Sequence, residues 1–190
     1  MMDALTALVT RASAVALTDP APDEAALERM LEAAMAAPDH GRLRPWRFIA
    51  VRGEARAKLG QLLAETLRAR EPQAPDALIE KEKGKALRAP LILVAAAHLT
   101  DSLKVPAIEQ VVAVGAAAQN VMLAAHALGY GAMWKTGAPA YDPRVKTALG
   151  LEEGDQIVGF LYLGTAAGPT PGPRRAQPRS SFTEWSGPAG

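Results

Sequence analysis

The 190-residue chain has no cysteine, so disulfides, thiol nucleophiles and thiolate metal sites are excluded, and any redox chemistry must ride on a bound cofactor. Its three histidines, His40, His98 and His126, are scattered, and no metal centre can be assembled from them. Neither sign of charge is in surplus. The 21 basic and 20 acidic side chains nearly cancel, which removes the field that draws a protein to nucleic acid or an anionic membrane and leaves a small molecule as the expected ligand. No glycine-rich loop of the dinucleotide or P-loop type follows a strand-like segment, which disfavours a Rossmann fold. The longest apolar run, Val111 to Leu128, is interrupted by Gln119, Asn120 and His126 and fits a buried helix better than a membrane span. At Met1-Met2-Asp3-Ala4-Leu5 no basic segment precedes an apolar one, so no secretory signal is read and the cytoplasm is the expected compartment.

What is present is a mixture of two periodicities. Helical spacing is expected over Asp3 to Arg11, Ala25 to Met35, Glu54 to Arg70 and Ile108 to Leu128, the last ending at Gly129, a natural left-handed stop. Pro75 to Lys85 reads as a charged, exposed helical segment, and Asp142-Pro143 with Gly150 frames a short helix by N-cap, first-turn proline and terminal glycine. Strands are expected at Arg47 to Arg52, Leu91 to Ala97, Ala132 to Trp134 and Gln156 to Leu163, and the unbroken apolarity of Leu91 to Ala97 implies cover on both faces. Together these give a layered α+β fold, a small central sheet flanked by helices, in a single domain over residues 1–190. Residues 166–190 form a proline-rich extended tail that either wanders or wraps something.

Four segments carry side chains such a fold does not need. Arg11-Ala12-Ser13 closes the first helix with a cation, a hydroxyl and backbone N–H groups, a set that can meet a phosphate or simply end a helix. Ala37 to Phe48 packs Pro38, His40, Pro45 and Trp46 into one constrained connection, which reads either as a binding loop or as a core anchor. Trp134-Lys135-Thr136-Gly137 runs a strand into a loop bearing a cation and a hydroxyl. Ile157 to Thr165 is most simply core, with Gly159 marking a close backbone approach.

In this order, Arg-x-Ser, Ala-Pro-Asp-His before Pro-Trp-x-Phe, Gly-x-Gly-x-Met-Trp-Lys-Thr-Gly, and Ile-Val-Gly-Phe-Leu-Tyr-Leu-Gly-Thr, the chain resembles the nitroreductase family over residues 2–165. It looks most like the compact YdjA-like NAD(P)H members. The resemblance implies a homodimer with two FMN molecules at the subunit interface, each touched by both chains, and a tail reaching over the partner. Carried over by motif, Arg11, Ala12 and Ser13 would hold the phosphate and ribityl end, and Trp134, Lys135 and Thr136 would line the flavin from the same subunit. His40 and Ala36 would come from the partner, and Ala124, Ala125, His126, Ala127, Leu128 and Gly129 would meet the pyridine nucleotide. The implied activity passes electrons from NADH or NADPH through FMN to a nitroaromatic, quinone or related acceptor by a ping-pong mechanism, with no catalytic side chain. Relatives often have a second arginine where Ala12 stands, and some have one at Ala36. Lys135, Arg174 or Arg175 are the expected compensating cations, and a non-catalytic flavin-binding or sensing protein is the alternative.

Overall fold

The computed structural model describes residues 2–173 and 177–188, which leaves Arg174 and Arg175 outside the described residues. Its helices are α1 (Ala4–Thr10), α2 (Glu24–Met35), α3 (Glu54–Arg70), α4 (Asp76–Lys83), α5 (Ala107–Ala127) and α6 (Pro143–Ala148). Its strands are β1 (Leu17–Thr18), β2 (Trp46–Arg52), β3 (Leu91–Ala97), β4 (Gly131–Lys135) and β5 (Gln156–Ala166). Every strand pairing is antiparallel, in the order β2, β3, β5, β4, with β1 joined to the far end of β5.

All seven residues of β3 are buried, as a strand without a polar side chain requires. Leu91, Leu93, Ala95 and Ala97 pack with α2 and α5, while Ile92 and Val94 pack with Leu59 and Leu63 of α3 and Val145 of α6. Helices therefore cover both faces of the sheet. α5 is long and apolar enough to cross a membrane by composition, but Val114, Ala117, Ala118 and Val121 are fully buried against the sheet and α2. Asn120 fastens α5 to α2, donating from Nδ2 to the Ala33 carbonyl at 2.9 Å. The expected exposure of the segment after Pro75 holds only in part. α4 buries Ile79 and Glu82 against α3, where Gly60 lets the helix close on the Lys83 carbonyl.

β5 carries one extra residue, Val158, between the pairs Ala96 with Ile157 and Ala95 with Gly159. This bulge re-phases the strand so that Phe160 and Tyr162 face α3 while Leu161 and Leu163 face α5. Beside it lies the close approach that Gly159 was expected to mark, since a Cβ there would fall inside the Trp134 indole. The indole in turn donates from Nε1 to the Val158 carbonyl at 3.3 Å.

Asp142 caps α6, accepting from the Arg144 backbone N–H at 2.9 Å and pairing with the Arg144 guanidinium, also at 2.9 Å. The Arg144 contact lowers the Asp142 carboxyl below its ordinary value. Its contribution to stability is therefore complete above the ordinary carboxyl pKa and disappears as pH falls through the lowered folded value. Asp142→Ala should cost about 1 kcal/mol, the usual worth of an N-cap, when urea unfolding is compared with wild type at neutral pH. The difference should shrink in acid.

Candidate functional site

Residues 11–17 leave α1 and lie along the start of β4. The Ala14 N–H donates to the Ala132 carbonyl at 3.0 Å, and Gly131 makes room for the crossing, because a Cβ there would stand 2.6 Å from Leu17 Cδ2. Arg11 ends α1 by donating its backbone N–H to the Ala7 carbonyl, and Ser13 is exposed. Two segments more than a hundred residues apart in sequence thus share one edge.

That edge borders a cavity of about 450 Å³ between the sheet and α3. Met133, Phe160 and Tyr162 line it from the sheet, Leu59 and Leu63 from α3, and Ala14, Lys135 and Thr136 from the shared edge. Arg70, Lys85, Arg88 and Lys135 bring four cations to its wall against one acid, Glu82, which is buried and held by Lys85 Nζ at 2.5 Å. Burial raises the Tyr162 phenol pKa; Arg88 opposes that shift and Glu82 adds to it. At neutral pH the phenol is a hydrogen-bond donor.

Trp134 is the exception within its motif. Side chains alternate along a strand, so Met133 and Lys135 line this cavity while the indole packs on Gly159 with the α5-side core. The indole lies on the opposite face of β4 from this cavity.

On the other side of the shared edge a second cavity, about 420 Å³, is lined by Thr10, Ala12, His126, Gly129 and Tyr130, among others. Thr10 Oγ1 and His126 Nε2 lie 2.9 Å apart, tying α1 to the end of α5. Of the six residues there associated with a pyridine nucleotide, His126 and Gly129 line the cavity. Ala125 is fully buried in the core.

His40 sits elsewhere. In the loop between α2 and β2 its Nδ1 lies 2.6 Å from Glu109 Oε2 on α5, and both border an apolar groove with Ile108 and Val112. The loop is sharply folded, with Gly41, Arg42 and Arg44 at positive φ and the Asp39 carboxylate accepting the Arg44 N–H at 2.7 Å. Ala36 is exposed at the end of α2. No residue of this groove lines either cavity, so within one chain His40 and the Arg11 edge are separate places.

The remaining histidine, His98, ends β3 with Nδ1 at 2.9 Å from the buried Asp155 carboxylate, a structural pair. Sequence reading missed Arg70, Glu82, Lys85, Arg88 and Tyr162. The one sequence signal for them is Tyr162, a polar tip in an otherwise apolar strand.

Residues 8–165 match the family model described as the nitroreductase family. The chain is 41% identical over 164 residues, 86% of its length and 88% of the relative's, to the Escherichia coli (strain K12) protein named "Putative NAD(P)H nitroreductase YdjA". Its structure is similar to the crystal structure of a nitroreductase-like family protein from Bacillus cereus, with a TM-score of 0.79, 26% identity and 98% of each chain covered. The fold also matches a Desulfovibrio desulfuricans protein crystallised in complex with FMN as a putative nitroreductase, with a TM-score of 0.75, 22% identity, and 99% of this chain and 100% of that one covered.

Proposed function

The chain belongs to the nitroreductase family, and from that premise we propose that it is an FMN-dependent oxidoreductase. It takes reducing equivalents from NADH or NADPH and passes them to a nitroaromatic, quinone or related acceptor. The carrying observation is the shared edge, where the segment that follows Arg11 and Ser13 runs along β4 and Ala14, Lys135 and Thr136 line one cavity. A relative's name supplies the pyridine nucleotide, and a structural neighbour was crystallised with FMN.

The residues present fit that cofactor. A flat ring needs an apolar slot, which Met133, Phe160 and Leu63 provide, and a phosphate needs cations and N–H or O–H donors, which Lys135 and Thr136 provide in the cavity and Arg11 and Ser13 would add from the adjoining segment. Bound FMN would supply the two-electron chemistry that a cysteine-free chain lacks. The protein's part is to hold the ring over the sheet, exclude water with Leu59 and Leu63, and leave one face for donor and acceptor in turn.

A homodimer completes the site. Exposed apolar side chains fall where a partner would cover them: Leu5, Leu8 and Val9 on α1, Ile108 and Val112 on α5, and Phe182 and Trp185 in the tail. Association through the α5 groove carries His40 and Ala36 to the partner's flavin. The tail lies over that partner.

Arg11→Ala should weaken FMN by about 1.5–3 kcal/mol, the worth of a hydrogen bond to a charged group. Fluorescence titration measures it, with circular dichroism checking the fold; unchanged affinity would remove Arg11 from the phosphate site. The activity itself is tested by steady-state NAD(P)H oxidation with a quinone. Parallel double-reciprocal lines are expected for alternating use of one face, intersecting lines would contradict it, and tight FMN binding without turnover would favour a sensing role.

A further inference from the structure

The main chain on either side of His40 is tied down. The Asp39 carboxylate accepts the Arg44 N–H at 2.7 Å, and Gly41 lies so close to Val105 that a Cβ there would stand 3.1 Å from its Cγ2. Val105 belongs to a segment that Gln110 clasps. The buried Gln110 amide donates to the Thr100 and Val105 carbonyls at 2.9 and 3.2 Å and accepts the Thr100 N–H at 3.0 Å. The preceding residue, Glu109, takes the His40 side chain, with Oε2 at 2.6 Å from Nδ1. An ionised carboxylate only accepts, so Nδ1 carries the hydrogen and Nε2 is the nitrogen left open. Among the described residues Nε2 makes no hydrogen bond. The two side chains are 60% and 45% exposed, and an ion pair so exposed adds little to folding. What it fixes is the orientation of the ring and which of its nitrogens bears hydrogen.

We propose that Glu109 is the positioning residue for His40, holding the imidazole with Nδ1–H on α5 so that Nε2 is presented to the partner's flavin. The inference rests on the reading that His40 serves that flavin. Both residues border the groove with Ile108 and Val112 that a second copy covers in that reading, and excluding water there strengthens the Nδ1–H···Oε2 bond. Glu109 also stands in the first turn of α5, where an acid favours any helix end. That general effect needs no histidine, so the two roles come apart once His40 is removed.

FMN affinity is read by fluorescence titration for the wild type, Glu109→Ala, His40→Ala and the double variant. Glu109 is partly exposed and alanine suits a helix, so its truncation leaves the core intact. Glu109→Ala should weaken FMN about fivefold, within the range of a lost hydrogen bond, and should weaken it no further once His40 is alanine. Unchanged or tighter binding by Glu109→Ala would overturn the proposal. So would the same loss in both backgrounds, because an effect on the helix end or on dimerisation persists without His40. Nitrogen NMR shifts of the imidazole rings read the tautomer directly, since the chain has three histidines and His40→Ala assigns the signal. Hydrogen on Nδ1 of wild-type His40, moving to Nε2 in Glu109→Ala, is expected; a bare Nδ1 in the wild type would overturn the assignment. If the wild type binds no FMN, or His40→Ala binds it as tightly as the wild type does, the reading of His40 as a flavin residue fails instead. The nitrogen shifts then decide the pair alone: loss of Nδ1–H in Glu109→Ala retains its hold on the ring, and no change removes it.

Discussion

A mixture of Arg11→Ala and His40→Ala subunits is expected to recover activity that neither mutant homodimer has. Arg11 belongs to the edge where residues 11–17 meet β4, whereas His40 lies on the α5 groove, which contributes no residue to either cavity beside that edge. If both serve one flavin, they do so from opposite chains. The heterodimer then has one site with both changes and one with neither. Under free subunit exchange about half the dimers are mixed, so about a quarter of all sites should be intact. NAD(P)H-dependent quinone reduction should return to that level, from a baseline set by each homodimer at the same FMN concentration. Verified heterodimers without recovered activity would show that the two residues do not share a site.

Gly159→Ala should have the largest effect on stability of any single methyl added to this chain. The new Cβ would fall within the Trp134 indole, which fills the space above the β5 bulge and cannot retreat without losing its bond to the Val158 carbonyl. Overpacking of this kind costs about 1–3 kcal/mol, occasionally more. At this chain length that lowers Tm by roughly 2–4 °C per kcal/mol. Displacing Trp134 also shifts Lys135, its neighbour on the cavity side, so FMN affinity should fall with stability. Adding Trp134→Ala to the Gly159→Ala background should cost less than Trp134→Ala alone, because the clash has gone. Strict additivity of the two changes would mean that they do not touch.

Much of this architecture was legible in the sequence where turn formers bracket a clear period. The bounds of α3 and β3 follow from Gly53, Pro72 and Pro90, and the double cover of β3 follows from its lack of any polar side chain. β1 escaped notice because two residues carry no periodicity. β5 runs on through Gly164, a residue read as a strand end; here the glycine admits Pro90, whose Cδ would stand 2.7 Å from a Cβ. Of the cavity, Lys135 and Thr136 were visible as a motif. Its far wall was not, because Arg70 reads as a helix end and Glu82, Lys85 and Arg88 read as solvated charge. Only the packing of α3 and α4 on the sheet turns those side chains toward Tyr162.

The most direct test of the flavin-dependent function is the visible absorption spectrum of the purified protein, recorded anaerobically before and after NADH or NADPH is added. An oxidised-flavin spectrum, present as isolated or after FMN is supplied, that bleaches with the nucleotide and returns when a quinone is added is the expected result. A protein that stays colourless after FMN addition and desalting, or a bound flavin that neither nucleotide bleaches, would contradict it.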